Sequence, residues 1–239
     1  MNTERIATRR SLGSLILNAA LVALVLIAPL IGSERLLAPA PWIAAAAAWL
    51  LLVSQPRLDR RTAWSRDAQD QRSAAGIFAS MIAMLVLAVA EYRFRGGLLP
   101  LTETAAVAAG TACIVVGFAI RLWAIRVLGA YFTSTVEVDK RQPVVTAGPY
   151  ACVRHPSYTG ALLIALGLVV LFRSALGLGV VLALVLPSYA RRINVEERSL
   201  VDALGTRYRA YRDVVPALVP RLNGLRRRLA ANDLPGDLR

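Results

Sequence analysis

Lysine, histidine and cysteine are almost missing from this chain. Among its 239 residues stand one lysine, Lys140, one histidine, His155, and two cysteines, Cys113 and Cys152. A single histidine with scattered cysteines and aspartates supplies no ligand cluster, so no metal centre is expected. Two cysteines, one in an apolar run and one in a polar loop, make no disulfide framework and read as free thiols. No stretch repeats at a period of roughly 20 to 50 residues, which excludes solenoids and propellers. Acid is scarce too, 15 residues against 28 basic ones, for a formal net charge of +13.

Apolar sequence takes up the room. Hydrophobic residues make up 56% of the chain and mean hydropathy is +0.53, more apolar surface than a soluble core can bury. The chain therefore reads as an all-α integral membrane protein. Four segments approach bilayer length, 12–31, 36–54, 74–90 and 104–128. A fifth apolar region, 159–188, is interrupted by Phe172, Arg173 and Ser174. Each half is short for a vertical span, so a helical hairpin dipping into the membrane is expected there. Arg173 at its tip must reach headgroups, water or a buried partner. The apolar start is longer than a signal-peptide core and has no clear cleavage site, so it is read as a retained first helix. Pro29, Pro39 and Pro41 mark the ends of the first two helices.

The arginines cluster beside the apolar runs (Arg5, Arg9, Arg10; Arg57, Arg60, Arg61, Arg66; Arg226, Arg227, Arg228). That placement points to anionic lipid rather than nucleic acid as partner. With a cytosolic N-terminus, the basic segments 55–73, 129–157 and everything after Pro187 fall inside, and 32–41 and 91–103 fall outside. The expected organisation is 1–103 for three helices with a cytosolic loop 55–73, 104–220 for a functional core, and 221–239 for a basic tail. Within the core lie a fourth helix, a loop 129–158, the hairpin 159–188 and a cytosolic helix 189–214.

Chemistry concentrates in two stretches. In "VRHPSY", Pro156 biases His155 away from helical backbone and can itself begin a helix. His155 thus stands just before a helix N-terminus, where free N–H groups favour an anion. "YFTSTVEV", upstream of it, is extended or irregular by composition. From Ser188 onward the pattern is that of one long helix leaving the membrane. Glu197, Leu200, Leu204, Tyr208 and Tyr211 share a stripe, while Arg192 and Glu196 lie four apart and can pair. "VPALVP" ends that helix and can turn back toward lipid. Taken singly, each feature is also compatible with a satisfied interfacial histidine and an amphipathic surface helix.

Together, "GPY", "RHPSYTG", the apolar hairpin, "RINVEERSL" and "GTRYRAYRDVVPALVP" resemble the isoprenylcysteine carboxyl methyltransferase family, across roughly 128–220. The resemblance implies a helical membrane enzyme binding S-adenosyl-L-methionine in a cytosol-facing pocket, with a lipophilic acceptor entering from the bilayer. It places the cofactor motif on Arg154, His155, Pro156, Tyr158 and Gly160, preceded by Val145, Gly148 and Tyr150. The acidic pair falls on Glu196 and Glu197, with Arg192 one turn before and Leu200 after. Where many relatives carry histidine, this chain has Gln142. Methyl transfer from a sulfonium is an in-line displacement, so alignment and water exclusion supply most of the rate. A carboxylate acceptor needs no base, and Arg192 or Arg154 would orient it by forked hydrogen bonds. An amine or hydroxyl would be served by Glu196 or Glu197 as base. His155 and the helix N-terminus would hold the cofactor's carboxylate.

Other readings stay open. Membrane sterol and steroid reductases, which use NADPH, share an "RH...Y" loop and a "G..Y..Y...P" tail. The complete "RHPSYTG" and the "EE" before "GTRY" favour the methyltransferase. A transporter would place polar residues at midplane, whereas here they gather at one edge. The alanine and arginine bias points to a GC-rich bacterial genome and an inner-membrane location. The expected acceptor is a small lipophilic carboxylate, thiol, amine or isoprenoid, then a phospholipid headgroup, and a monomer is expected.

Overall fold

A computed structural model of the protein describes residues 12–55, 68–132 and 142–220. The arginine clusters at 5–10, 57–66 and 226–228, most of "YFTSTVEV" and the tail lie outside the described residues.

Every regular element in the described residues is helical. The helices are α1 (Leu12–Val22), α2 (Pro39–Ser54), α3 (Ala68–Arg95), α4 (Glu103–Leu128), α5 (Pro156–Leu171), α6 (Ala175–Val180), α7 (Leu186–Leu204) and α8 (Thr206–Val214). π and 3-10 turns extend α1 to Leu30, and a π segment, Val181–Val185, joins α6 to α7 without a break. Four stretches are long and apolar enough to cross a membrane: Leu12–Leu30, Arg72–Arg95, Glu103–Leu128 and Ala175–Leu204. α2 and α5 are shorter apolar helices. Large side chains such as Val115, Val116, Leu182 and Leu184 remain exposed on their outer faces, as lipid contact requires.

The ends follow local chemistry. Thr102 caps α4, its hydroxyl accepting from Ala105 N at 3.2 Å. Pro39 and Pro156 open α2 and α5 in the first turn, where a missing N–H costs nothing. Pro39 and Pro41 thus begin the second helix, and Pro29 lies in the 3-10 turn closing the first.

The tightest packing is between α4 and α5, which run antiparallel. Gly110 and Gly117 lie seven residues apart, as do Gly160 and Gly167, so each pair presents one face. A Cβ built on Gly160 would stand 2.5 Å from the Gly117 carbonyl, and one on Gly167 would stand 2.7 Å from that of Gly110. Without side chains at these positions the two backbones touch, the close approach that small residues permit inside a membrane.

The hairpin forms, with two differences from expectation. Its turn lies at the same end of the bundle as the α3–α4 loop, since Leu98 N and Leu99 N both donate to the Arg173 carbonyl at 2.9 Å. The hairpin therefore runs the depth of the bundle rather than dipping in. Its second arm is not a short piece but the first half of the 30-residue helix Ala175–Leu204. Arg173 finds the partners its position demands, donating to the Leu101 carbonyl at 2.9 Å and the Gly96 carbonyl at 2.5 Å. Buried Glu91 holds the other arm, accepting from Ser174 Oγ at 3.0 Å, Ala175 N at 3.0 Å and Leu176 N at 2.7 Å. A carboxylate on those free N–H groups caps α6.

At the opposite end the expected single terminal helix is broken. Gly205 takes φ +60°, a conformation open to glycine at little cost, and α8 turns away from α7. Leu204, Tyr208, Tyr211 and Val215 then fold into a small separate core with Leu200 and Val144 packed on it. "VPALVP" runs beside the residues before α5, where Arg154 N donates to Pro216 O at 2.9 Å and His155 N to Ala217 O at 3.0 Å. Thr159 Oγ1 adds a bond to Leu218 O at 2.8 Å.

Candidate active site

Two cavities meet at this end of the bundle. The first, of about 140 Å³, is bounded by Leu128, Tyr131, Phe132 and Gln142–Val145 on one side and by Arg154, His155, Glu196, Leu200 and Tyr208 on the other. The second, of about 540 Å³, is an apolar chamber among α1, α2, α3, α5 and α7, walled by residues such as Leu26, Leu51, Phe78 and Met81. Phe132, Ser157, Tyr158 and Arg192 line both.

The hinge of the arrangement is the stretch before α5. His155 has φ −122° and ψ 60°, outside the helical region because Pro156 follows. Its ring is buried and faces α7: Nε2 lies 3.0 Å from Glu197 Oε1 and Nδ1 lies 3.7 Å from Glu196 Oε2. The histidine expected to greet an anion is thus engaged by both glutamates. Arg154 Nε donates to the same Glu197 oxygen at 2.8 Å, and its Nη1 donates to the Arg212 carbonyl at 2.9 Å and to the Val215 carbonyl. Arg154 is therefore a bracket tying α7 to the segment after α8. With His155 and Arg154 both on Glu197, that carboxylate stands behind the cavity wall, whereas Glu196 lines the cavity.

Tyr158, on the first turn of α5, donates to Glu196 Oε2 at 2.7 Å and stacks 5.5 Å from the His155 ring. Arg192 lies beside that phenol and donates to Ser73 Oγ at 3.1 Å. Three further tyrosines close the site. Tyr211 donates to the Tyr150 carbonyl at 2.7 Å, clamping α8 onto the turn Gly148–Ala151. Burial, helped by Glu196, holds Tyr150 well above the usual phenol range, with Arg121 opposing. Burial and both glutamates raise Tyr208 likewise.

The expected residues divide by position. Val145, Tyr150, Arg154, His155, Tyr158, Arg192, Glu196 and Leu200 line the smaller cavity, and so does Gln142. Gly148, Pro156 and Gly160 frame it without facing it. Gly148 takes φ +57° in the turn against Trp123, Pro156 opens α5, and Gly160 packs on α4. Sequence reasoning missed Arg121, on α4, which donates to Ser157 Oγ at 2.6 Å and to Gln55 Oε1 at 3.1 Å. The signal was present: an arginine in the middle of an apolar span is a functional candidate by default. Gln55, just after α2, and Ser73, in the second turn of α3, gave no such signal.

Comparison with known proteins bears on the stretch from α4 to α7. Residues 109–202 match the isoprenylcysteine carboxyl methyltransferase (ICMT) family. The chain is 32% identical over 116 residues to protein-S-isoprenylcysteine O-methyltransferase B of Arabidopsis thaliana, which is 48% of this chain and 59% of that protein. It is 34% identical over 122 residues to protein-S-isoprenylcysteine O-methyltransferase of Rattus norvegicus, 50% of this chain and 43% of that protein. A relative of the same name from Schizosaccharomyces pombe is 37% identical over 82 residues, 34% of this chain and 35% of that protein. The chain thus spans about half the length of the curated relatives it matches. α4, α5, the hairpin and most of α7 are ICMT-like, and α1 to α3 lie outside the matched residues.

Proposed function

We propose, from the ICMT-like character of residues 109–202 as premise, that this protein transfers a methyl group from S-adenosyl-L-methionine to a lipophilic acceptor of the isoprenylcysteine type. The observation that carries this reading is the junction of a small amphipathic cavity with a large apolar one, at Phe132, Ser157, Tyr158 and Arg192. A polar cofactor and a greasy acceptor each have a chamber, and the shared wall is where they would meet.

The lining fits the cofactor in kind. Glu196 and Gln142 offer polar groups to an amino-acid end and ribose, and Val144, Val145, Leu200 and Leu204 offer an apolar surface to a base. When bound, S-adenosyl-L-methionine supplies an electrophilic methyl on a sulfonium. The protein's own contribution is alignment and exclusion of water. Tyr158, held by Glu196, fixes the wall between the chambers. Arg192, facing both, orients the acceptor group by forked donation. Arg154 serves catalysis only at one remove, by bracketing α7 to the segment 215–218. A carboxylate acceptor needs no base and leaves Glu196 to hold Tyr158 and face the cofactor, whereas an amine or hydroxyl acceptor would use it as base. The Glu197–His155–Arg154 group keeps the cofactor wall in shape.

In this reading 104–220 is the catalytic core, 1–103 supplies most of the acceptor chamber, and 221–239 is a basic tail. The site faces the cytosol of a bacterial inner membrane. Its support is the arginine-rich character of the site end, with Arg126, Arg191, Arg198, Arg207, Arg209 and Arg212 described there.

The test is binding by the detergent-solubilised protein of S-adenosylhomocysteine against NADPH. Saturable binding of the former is expected, and saturable binding of NADPH alone refutes the proposal in favour of a reductase.

A further inference from the structure

Arg192 is 7% exposed and sits where the two cavities meet. Its guanidinium is gripped from α3, a helix outside the ICMT-like residues. Nη1 donates at 3.1 Å to the hydroxyl of Ser73, and that serine is 1% exposed. Ser73 stands behind the arginine rather than in the lining of either cavity. The same guanidinium lies beside the Tyr158 phenol of α5, which donates to Glu196 Oε2 at 2.7 Å.

So short a side chain reaches Arg192 only because α3 and α7 run close together and antiparallel here. A Cβ built on Gly76 would stand 3.7 Å from Ser188 Oγ. Ser73 comes three residues before Gly76 and Arg192 four residues after Ser188, so the two contacts lie one turn apart on a single face of each helix. The chamber-lining side chains of α3, from Ala74 to Leu85, are apolar. Just before that apolar stretch, α3 places a hydroxyl at the register position that meets the arginine.

A long guanidinium side chain gives up much rotamer freedom when it is ordered. Held at one point, a planar fork can still swing, while a second contact fixes its tilt as well as its place. Alignment-dependent reactions feel the difference, a misplacement of roughly 1 Å costing about a hundredfold in rate.

We propose that Ser73 is a positioning residue for the transfer: its hydroxyl holds Arg192 with the fork turned toward the acceptor. A helix outside the ICMT-like residues thereby sets the geometry of the reacting pair. The inference rests on the methyl-transfer reading, in which Arg192 orients the acceptor. Hydroxyls that bridge helices inside a membrane also serve as plain glue, and that role predicts lost stability without a specific loss of turnover.

The experiment measures methyl ester formation on N-acetyl-S-farnesylcysteine from S-adenosyl-L-methionine by the full-length protein in non-ionic detergent. It compares the wild type, Ser73→Ala, Arg192→Ala and the double variant, with melting temperature and S-adenosylhomocysteine affinity read on each. Ser73→Ala should lower kcat roughly tenfold to hundredfold, with the KM for S-adenosyl-L-methionine and the S-adenosylhomocysteine affinity unchanged. In the Arg192→Ala background the same substitution should change turnover by less than about twofold, because a hydroxyl that acts through the arginine has nothing left to hold. Wild-type kcat in Ser73→Ala overturns the proposal, as does a full multiplicative loss in the double variant. A Ser73→Ala that melts early and loses kcat and cofactor affinity together is glue, and overturns it too. A wild type that neither binds S-adenosylhomocysteine nor methylates the acceptor refutes the methyl-transfer reading and takes this inference with it, whereas a working wild type beside an equally active Ser73→Ala refutes the inference alone.

Discussion

Substituting Gly160 by alanine should separate packing from cofactor contact at a glycine the family resemblance assigns to the cofactor motif. The added Cβ would lie 2.5 Å from the Gly117 carbonyl oxygen and 3.0 Å from both Arg121 N and Arg121 Cβ. Ordinary contact begins near 3.4 Å, so α4 and α5 must part by about 0.9 Å, and neither obstacle is the end of a flexible side chain. Overpacking of this sort costs about 1 to 3 kcal/mol, which for a chain of this size lowers the melting temperature by about 2 to 12 °C. Gly167→Ala meets the Gly110 carbonyl at 2.7 Å and should cost a similar amount at the far end of the helix pair. Gly76→Ala, whose Cβ would meet only Ser188 Oγ at 3.7 Å, should be neutral. The assay is thermal unfolding in one detergent with S-adenosylhomocysteine affinity measured alongside. Gly160→Ala should melt early and use the acceptor poorly, because Arg121 and Ser157 move with the helices, and Gly167→Ala should melt early with cofactor affinity intact. A wild-type melting temperature for Gly160→Ala refutes the packing argument, and weakened cofactor binding at that temperature would make Gly160 a cofactor contact.

Glu197→Gln leaves Arg154 and His155 without their shared carboxylate and should destabilise the protein by about 3 kcal/mol. Glu196→Gln, on a side chain 29% exposed, should cost under about 1 kcal/mol; thermal melts that rank the two the other way contradict the assignment of Glu197 as the buried anchor. Arg192→Ala should lower turnover far more than S-adenosylhomocysteine affinity, and equal loss of both, measured by kinetics and calorimetry, would make Arg192 architectural. Tyr150 and Tyr208 have their phenols pushed above the ordinary value of 10.0 by burial. Their stabilising contribution is therefore complete below pH 10, where the unfolded chain also keeps them neutral, and is lost as pH rises beyond it. Alkaline difference spectra should show phenols that ionise above the ordinary range, a late phase that Tyr150→Phe and Tyr208→Phe each diminish.

Local sequence was sufficient where one residue type constrains the backbone by itself. Pro156 opens α5 where its ring predicts, the residues Phe172 to Ser174 do break the apolar run, and the apolar segments are helices of nearly the expected extent. The stripe from Leu200 to Tyr211 does converge on one small core, but not on one helix. Gly205 allowed the break without announcing it, since a lone glycine inside a helical pattern is often tolerated. The fate of "VPALVP" was equally hidden. Its carbonyls accept from backbone N–H groups some 60 residues earlier, and no local pattern encodes such a pairing.

The sequence alone determined that this chain is apolar enough for a membrane, where its helices lie, and that its histidine and paired glutamates stand in two short stretches flanking the hairpin. These are consequences of composition and of spacing along a helix, which every apolar stretch expresses without reference to its neighbours. Tertiary structure alone decided which charges meet. It set His155 and Arg154 on Glu197 rather than on a ligand, left Glu196 and Arg192 facing the cavities, and brought Gln55 and Ser73 from outside the family match to two buried arginines. The physical reason is that glycine-to-glycine contact lets α4 and α5 close until Arg121 reaches Ser157, and that distance depends on two helices at once.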